Sequence, residues 1–224
     1  MSSDVHLNAW YNGTTLPDPG NESWQPLRIT ARGEAKVIDF YTYMALEDRC
    51  FQVRAGTITT PLVGDVVLTD AAAEMATSAG AGLTVIPTRL NIDIRLHTGT
   101  LHEYAAKSVA AVHTVDTAFV AMPLRLNATA TASSFSTVAA AGGVAVAAEL
   151  ATTTRRHWGY AQPLAAAAGS DPGVVPIISG LWSPRTPPII SGAGCFYVQI
   201  AATGTGPSYY ADYDFIELAT VSVN

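Results

Sequence analysis

Three histidines and a glutamate in one stretch are the residues best suited to metal chemistry: His97, His102, Glu103 and His113. A zinc-protease helix places a second histidine four residues after the first, with the glutamate beside the first. No histidine follows His102 at that spacing. We therefore predict no metal site here, and we interpret His97 and His102 as exposed polar residues at strand ends.

A second candidate is a group of acidic residues near the end of the chain. Asp212 and Asp214 share one face of a strand, whereas Glu217 falls on the other face. Carboxylates of this kind bind calcium or hydrolyse glycosidic bonds, but hydrolysis requires a fixed separation that sequence spacing does not supply. We interpret them instead as an outward row that solvates the last strand.

Nucleophile motifs are missing from the sequence. The chain has no Gly-x-Ser-x-Gly elbow, and Cys50 and Cys195 lie in no motif that activates a thiol. The N-terminal residues Met-Ser-Ser-Asp-Val-His lack the basic and apolar regions of a signal peptide, so we expect two free thiols in a reducing compartment, with one long-range disulfide between them as the alternative. The sequence thus predicts a protein that is not an enzyme and that uses no cofactor.

Charged residues are unusually sparse over much of the chain. Charged residues make up 13% of the sequence and hydrophobic ones 49%, whereas about a quarter of residues are charged in an ordinary soluble domain. Residues 105–211 contain only Lys107, Asp116, Arg125, Glu149, Arg155, Arg156, Asp171 and Arg185. A surface so poor in charge is expected to be covered by neighbouring subunits.

The charge balance also narrows the range of partners. A net charge of -6 and a pI near 5.2 leave no basic face for phosphates, so no nucleic acid partner is predicted. The longest apolar run near the middle, residues 138–148, is far shorter than the ~20 residues of a membrane-spanning helix. We therefore predict no membrane association.

Aromatic residues remain as candidates for binding. Trp158, Tyr160, Trp182, Tyr209 and Tyr210 are suited either to stacking on sugar rings or to lining a subunit interface. The low charge favours the interface. In residues 1–27, frequent Pro, Gly and Asn predict an irregular arm, and its Trp10, Tyr11 and Trp24 must dock elsewhere to be buried. The predicted interface residues are Trp10, Tyr11, Trp24, Trp158, Tyr160 and Trp182.

Period-two alternation is the clearest structural signal. Residues 89–97 alternate Leu90, Ile92, Ile94 and Leu96 with polar residues, which predicts a strand with one row inside. Residues 101–112 are predicted to pair back on it as a hairpin. A second hairpin is predicted from residues 195–201 and 209–218, near the middle of a sandwich. Residues 36–54 fit a short helix, or a strand almost as well.

Weaker signals complete the predicted architecture. Short β segments are expected at residues 57–60, 63–69, 83–86, 119–127, 128–138 and 144–154. Pro-Ile-Ile-Ser-Gly occurs at 176–180 and again at 188–192, which we interpret as two similar turns or as coincidence. Long helical patterns are missing. The sequence predicts an all-β, antiparallel, jelly-roll-like β-sandwich over residues 28–224, preceded by the irregular arm of residues 1–27.

Several segments together resemble a known group of proteins. They are Phe40-Tyr-Thr-Tyr-Met-Ala-Leu-Glu-Asp-Arg-Cys-Phe, Ala55-Gly-Thr-Ile-Thr-Thr-Pro, Phe196-Tyr-Val-Gln-Ile-Ala-Ala-Thr-Gly-Thr-Gly-Pro and Asp214-Phe-Ile-Glu-Leu. In texture and order they resemble virion structural proteins of tailed bacteriophages. The resemblance implies a non-enzymatic capsid decoration or cement subunit, assembled in the host cytoplasm into the virion.

The expected partners follow from this resemblance. They are the major capsid protein and copies of the chain itself, with a homotrimer preferred. One alternative is a tail or fibre module that binds host glycan through its Trp and Tyr residues. A second alternative is a glycan-active enzyme that uses the carboxylates near the end of the chain.

Overall fold

The computed structural model describes residues 8–10, 24–26, 40–69, 71–96, 101–114, 118–129, 132, 135–137, 144–146, 149–150, 152–163, 178–204 and 206–220. Its elements, in chain order, are β1 (Asn8–Trp10), β2 (Trp24–Pro26), α1 (Phe40–Leu46), β3 (Cys50–Ala55), β4 (Leu62–Val63), β5 (Ala72–Ala73), β6 (Met75–Ser78), β7 (Leu83–Leu96), β8 (Leu101–Val109), β9 (Met122–Pro123), β10 (Phe135–Thr137), β11 (Val144–Ala145), β12 (Arg155–Pro163), β13 (Ile178–Trp182), β14 (Ile190–Ser191), β15 (Cys195–Ala202) and β16 (Ser208–Ala219). In these parts of the chain, no helix is long and apolar enough to cross a membrane.

Two antiparallel sheets pack face to face. A seven-stranded sheet has the order β13-β7-β16-β3-β9, with β14 also on β7 and β4 also on β16. A five-stranded sheet has the order β10-β6-β15-β8-β12. Two short ladders, β1-β2 and β11-β5, lie outside both sheets. The predicted all-β antiparallel sandwich is confirmed; the jelly-roll connectivity stays a prediction.

A chain of aromatic rings runs through the core between the sheets. Trp182 stacks on Phe196 with ring centroids 5.4 Å apart, and Phe196 stacks on Tyr213 at 5.7 Å. Tyr213 stacks on Phe215 at 5.4 Å, and Phe215 on Phe51 at 5.6 Å. Both sheets contribute rings, so this stack joins the two layers with the offset geometry that aromatic pairs prefer.

The alternation in β7 and β15 places the expected rows in the core. Leu90, Ile92 and Ile94 are buried there, together with residues 196, 198 and 200 of β15. The opposite face of β15 is buried as well, because a further layer of chain lies over the five-stranded sheet. We call residues 64–69, 71–73, 144–146 and 149–150 the cover. Leu68 and Val146 of the cover pack on the outward side chains of this sheet.

Both predicted hairpins are wrong. β8 does not pair with β7 but lies in the other sheet, between β15 and β12. The two edges of β7 are already occupied, one by β16 and the other by β13 and β14. Similarly, β15 and β16 belong to different sheets, although each is a central strand as predicted. Turn residues signal a change of direction, and they do not say which sheet the next strand joins.

Several of the short β segments expected from the sequence are shorter than predicted or are not strands. Regions 119–127, 128–138 and 144–154 contain only the short strands β9, β10 and β11 among their described residues, and residues 57–60 form a turn rather than a strand. The strands β12 and β13 were not predicted. Both Pro-Ile-Ile-Ser-Gly copies contribute strand residues to the same edge of β7, because Ile178 is opposite Ile94 and Ile190 is opposite Val85. The turn interpretation of the repeat is therefore wrong.

The N-terminal part of the chain contains one helix and one short antiparallel ladder among its described residues. The pattern in residues 36–54 gives helix α1 followed by strand β3. Met44 of α1 is buried with Ile216 and Leu218. Residues 1–27 are not wholly irregular, because β1 pairs with β2 and places Trp10 opposite Trp24. Hydrogen bonding between these short strands satisfies backbone groups that the turn-rich composition led us to expect in a loop. Both cysteines are free and buried, as expected.

A close crossing of two backbones near β16 leads to a prediction. A Cβ atom added to Gly206 would lie 1.6 Å from the carbonyl oxygen of Gly64, which is main chain and cannot rotate away. We expect Gly206→Ala to lower the free energy of unfolding by about 3 kcal/mol, the upper range for an overpacked site. The measurement is chemical denaturation. Gly159→Ala, in β12, is the control, since its nearest neighbour would be 3.3 Å away. Equal stability of the two variants would contradict the prediction.

Candidate functional site

The predicted interface residues fall in different environments. Trp182 is 7% exposed and is a core residue rather than an interface residue. Trp158 is partly buried against Tyr104, with ring centroids 4.7 Å apart. Tyr160 also stacks on the ring of Tyr104, with centroids 5.4 Å apart, and remains 42% exposed. Only Tyr160 of these three presents a large surface to solvent.

The aromatic residues of the N-terminal arm are only partly described. Trp10 and Trp24 are opposite each other in the β1-β2 ladder. Tyr11 lies outside the described residues, as does the docking site expected for the arm. The structure therefore brings together two of the three predicted residues of the arm, through their backbones.

Several exposed apolar side chains lie in and beside β9. Val120 and Leu126 are 79% and 86% exposed, and Met122 and Leu124 between them are also exposed. We call these residues, together with exposed Leu46 at the end of α1, the β9 patch: Leu46, Val120, Met122, Leu124 and Leu126. A group of exposed apolar side chains on a folded protein is typical of an interaction site. Sequence analysis missed this patch, although alternate apolar residues from 120 to 126 were its signal.

Hydrogen bonds hold the β9 patch in place. β9 pairs with β3, and the amide of Leu124 donates to the carbonyl of Cys50 at 3.0 Å. The guanidinium of Arg125 donates to the carbonyl of Leu46 at 3.0 Å and to the carboxylate of Asp48 at 3.3 Å. The patch is thus fixed before any partner binds, which lowers the entropy cost of association.

The histidine stretch does not assemble into a metal site. His102 is fully buried in β8, so the prediction that it is exposed is wrong. His97 lies outside the described residues. His113 contacts Ser78 and Cys195 instead of the other histidines. Within the described part of the chain, no group of three or more His, Cys, Asp or Glu residues is placed to hold a metal ion.

His113, Ser78 and Cys195 form a buried cluster that the sequence did not reveal. The Ser78 hydroxyl lies 2.6 Å from Nδ1 of His113 and accepts the His113 backbone N–H at 3.2 Å. Cys195 Sγ lies 3.9 Å from the same Nδ1. Burial raises the pKa of Cys195 to about 12 and lowers the pKa of His113. The thiol is therefore protonated and unreactive at neutral pH, and the cluster ties the chain after β8 to β6.

A second serine and histidine pair lies at the same end of the five-stranded sheet. Ser108 Oγ is 2.8 Å from Nε2 of His157, and Ser108 lines a cavity of about 220 Å³ together with Arg155. Burial and the charge of Arg155 lower the pKa of His157, which keeps its ring neutral. The His157 ring lies near Trp182 and Phe196, at 6.5 and 6.1 Å. These contacts attach the bulge of β12 to the core.

A buried ammonium group fastens the cover to the sheet. Lys107 is fully buried, and its Nζ donates to the carbonyl of Leu68 at 2.6 Å and to Oε1 of Gln199 at 2.8 Å. It also donates to the carboxylate of Glu149. The amide of Gln199 in turn donates to the carbonyl of Ala72 at 2.8 Å. Lys107 of β8 therefore contacts β15 through Gln199 and the cover through Leu68 and Glu149.

Glu74 is a second buried charged residue, located between β5 and β6. Its carboxylate oxygens accept the backbone N–H groups of Asp65 at 2.9 Å and Ile200 at 2.8 Å. Desolvation outweighs these hydrogen bonds and raises the pKa of Glu74 to about 8. The charge-poor sequence gave no sign that Lys107 and Glu74 lie in the interior.

The acidic residues of β16 are not a solvated row. Arg54 Nε donates to Oδ1 of Asp212 at 2.9 Å, and Gln52 Nε2 donates to Oδ1 of Asp214 at 3.0 Å. Asp214 and Glu217 are both buried, which contradicts the expected solvation. Desolvation raises the pKa of Asp214 despite its contacts with Gln52 and Arg89. The cross-strand pairing of β16 with β3 and β7 brought these groups together.

Within the described residues, the geometry therefore offers the exposed β9 patch and several enclosed polar clusters. The enclosed clusters connect strands and the cover. Comparison with known proteins adds no relative, because no family model, no curated protein and no solved structure matches this chain.

Proposed function

We propose that this chain is a non-enzymatic structural subunit of a tailed-phage virion, a decoration or cement protein that stabilises the capsid lattice. The observation that carries the proposal is the β9 patch, a fixed row of exposed aliphatic side chains in a chain with only 13% charged residues. Burying such a row against a neighbour contributes about 25 cal/mol per Å². The sequence resemblance described above supplies the kind of assembly.

The proposed partners are the major capsid protein and further copies of the chain, in a homotrimer. Closed cyclic symmetry lets identical subunits cover the same surface patch on each copy. Because the patch lies at the edge of the seven-stranded sheet, beside the two-residue strand β9, a neighbour is able to pack on it without disturbing the core.

Replacing apolar residues of the patch tests its role in assembly. We expect Leu124→Asp and Leu126→Asp to weaken association with particles that lack this subunit by at least about tenfold, because a buried apolar anchor contributes about 2 kcal/mol. Occupancy after sedimentation is the measurement. Leu181→Asp is the matched control, since Leu181 is 58% exposed, between Leu124 at 43% and Leu126 at 86%, but lies on β13, at the far edge of the same sheet.

The variants should keep the melting temperature of the wild type, because both side chains already face solvent. Occupancy equal to that of Leu181→Asp would contradict a docking role for the patch. Counting copies in purified virions by quantitative mass spectrometry then separates the alternatives: hundreds of copies support a cement subunit, whereas a handful supports the tail or fibre module.

A further inference from the structure

The outer face of the seven-stranded sheet contains a cavity of about 320 Å³ that the assembly role does not use. It is lined by Arg54, Thr57, Ile58, Thr59, Tyr210 and Asp212. The volume lies at the lower end of the ~300–1,000 Å³ range of ligand pockets. It is large enough for a small organic ligand and too small for a peptide helix.

The turn that forms one wall is held in a single conformation. Gly56 has a φ of 71°, and a Cβ atom there would lie 3.1 Å from the amide nitrogen of Leu62. Thr57 and Thr60 then exchange two backbone hydrogen bonds, at 3.0 and 3.2 Å. The hydroxyl of Thr57 also accepts the amide of Thr60 at 3.0 Å. The cavity wall is therefore preorganised for a ligand.

Opposite this turn, a charged pair presents both donors and acceptors. Arg54 and Asp212 are opposite each other on β3 and β16, and their ion pair uses Nε and Oδ1. That ion pair uses neither the two terminal guanidinium nitrogens of Arg54 nor Oδ2 of Asp212, and the Asp212 side chain is 22% exposed. The Arg54 side chain is 54% exposed. Neighbouring hydroxyl groups of a ligand can accept from the guanidinium and donate to the carboxylate at once.

The other walls are apolar. Tyr210 lies two residues before Asp212 on the same face of β16, and Ile58 is exposed at the rim. An aromatic ring next to paired polar groups suits a ligand with one C–H face and several hydroxyl groups. Because Asp212 neutralises Arg54, the cavity has no excess charge to select a phosphate or a cation.

From this combination we infer that the cavity is a binding site for a neutral carbohydrate, with Tyr210 stacking on the sugar ring and Arg54 and Asp212 binding adjacent hydroxyl groups. The site lies away from the β9 patch, so carbohydrate binding and assembly are separable properties of the chain. The inference does not depend on the virion role.

The test begins with a printed array of neutral and acidic oligosaccharides, probed with the full chain. The strongest neutral binder is then titrated by isothermal calorimetry against wild type, Asp212→Asn and Leu181→Ser. Asp212→Asn removes the charge with little change of shape, and we expect its binding to be at least about tenfold weaker, the effect of losing a hydrogen bond to a charged group. Leu181→Ser, on the same sheet, should bind as wild type does.

Thermal melting shows whether each variant remains folded. If Asp212→Asn melts early, Ile58→Asp at the exposed rim replaces it, because that side chain makes no core contact. Binding of no neutral oligosaccharide above the blank overturns the inference. Binding to acidic glycans alone, or equal affinity of wild type and the cavity variants, overturns it as well.

Discussion

Replacing Lys107 with methionine is expected to lower the free energy of unfolding by about 3 kcal/mol, the lower end of the cost of breaking a buried ion pair. Methionine fills similar space but removes the donor to Leu68, Gln199 and Glu149. Three acceptors then lose their partner, two of them in the interior. We choose the lower end because the side chain of Glu149 is 27% exposed and regains water.

Urea denaturation at neutral pH measures this effect, and Arg156→Met is its matched control. Arg156 is the cross-strand neighbour of Lys107 on β12 and is exposed. A substitution there should change stability by less than about 0.5 kcal/mol. Limited proteolysis should also cut the cover of Lys107→Met sooner than that of wild type. If both methionine variants unfolded together with wild type, Lys107 would not fasten the cover.

Stability is expected to depend on pH through Glu74. Burial raises its pKa to about 8 in the folded protein, whereas an unfolded glutamate ionises near ~4.3. Between these values the folded chain retains a proton that the unfolded chain has released. The stability associated with Glu74 is therefore fully present below the unfolded pKa and is lost as pH rises towards 8. Glu74→Gln, which does not titrate, should lose this dependence.

The difference in stability between wild type and Glu74→Gln isolates this effect. The pKa values of His113 and His157 are lowered by burial, so these groups reduce stability as pH falls, and they do so equally in both proteins. Two ionisable neighbours interact with Glu74. The charge of Asp65 raises the pKa of Glu74, and the charge of Glu74 raises the pKa of Tyr209. We expect the difference to change by more than about 2 kcal/mol between pH 5 and pH 8. Parallel curves over that range would show that Glu74 is ionised in the folded protein.

Three buried polar residues hold the cover on the five-stranded sheet. Lys107, Gln199 and Glu74 all contact its residues, and apolar contacts of Leu68 and Val146 complete the packing. Polar networks of this kind specify one arrangement, because any other would leave buried donors unsatisfied. The cover is short of regular structure, so its position depends on these side chains more than on backbone ladders.

Local patterns were enough to identify two central strands of the core, β7 and β15. Period-two alternation in β7 and β15 depends only on which side chains must leave water, and both strands have the predicted faces buried. The sandwich class followed from the same signal and from the missing long helices. Short Ala-rich and Gly-rich stretches show little period-two alternation, and for this reason the ends of β10 and β11 could not be predicted.

Sheet membership and the sites needed the tertiary structure. Distant segments compete to pair with the two edges of β7. The alternation of β7 is the same for every possible partner, so it does not identify the strand that pairs. Arg54 and Asp212 meet across 158 residues of sequence, and Lys107 meets Gln199 across 92. The sequence by itself determined the inward rows of β7 and β15, because alternation is a property of each strand; the fold alone decided which outward residues are buried and which polar groups meet, because both depend on the cover and on pairing between strands.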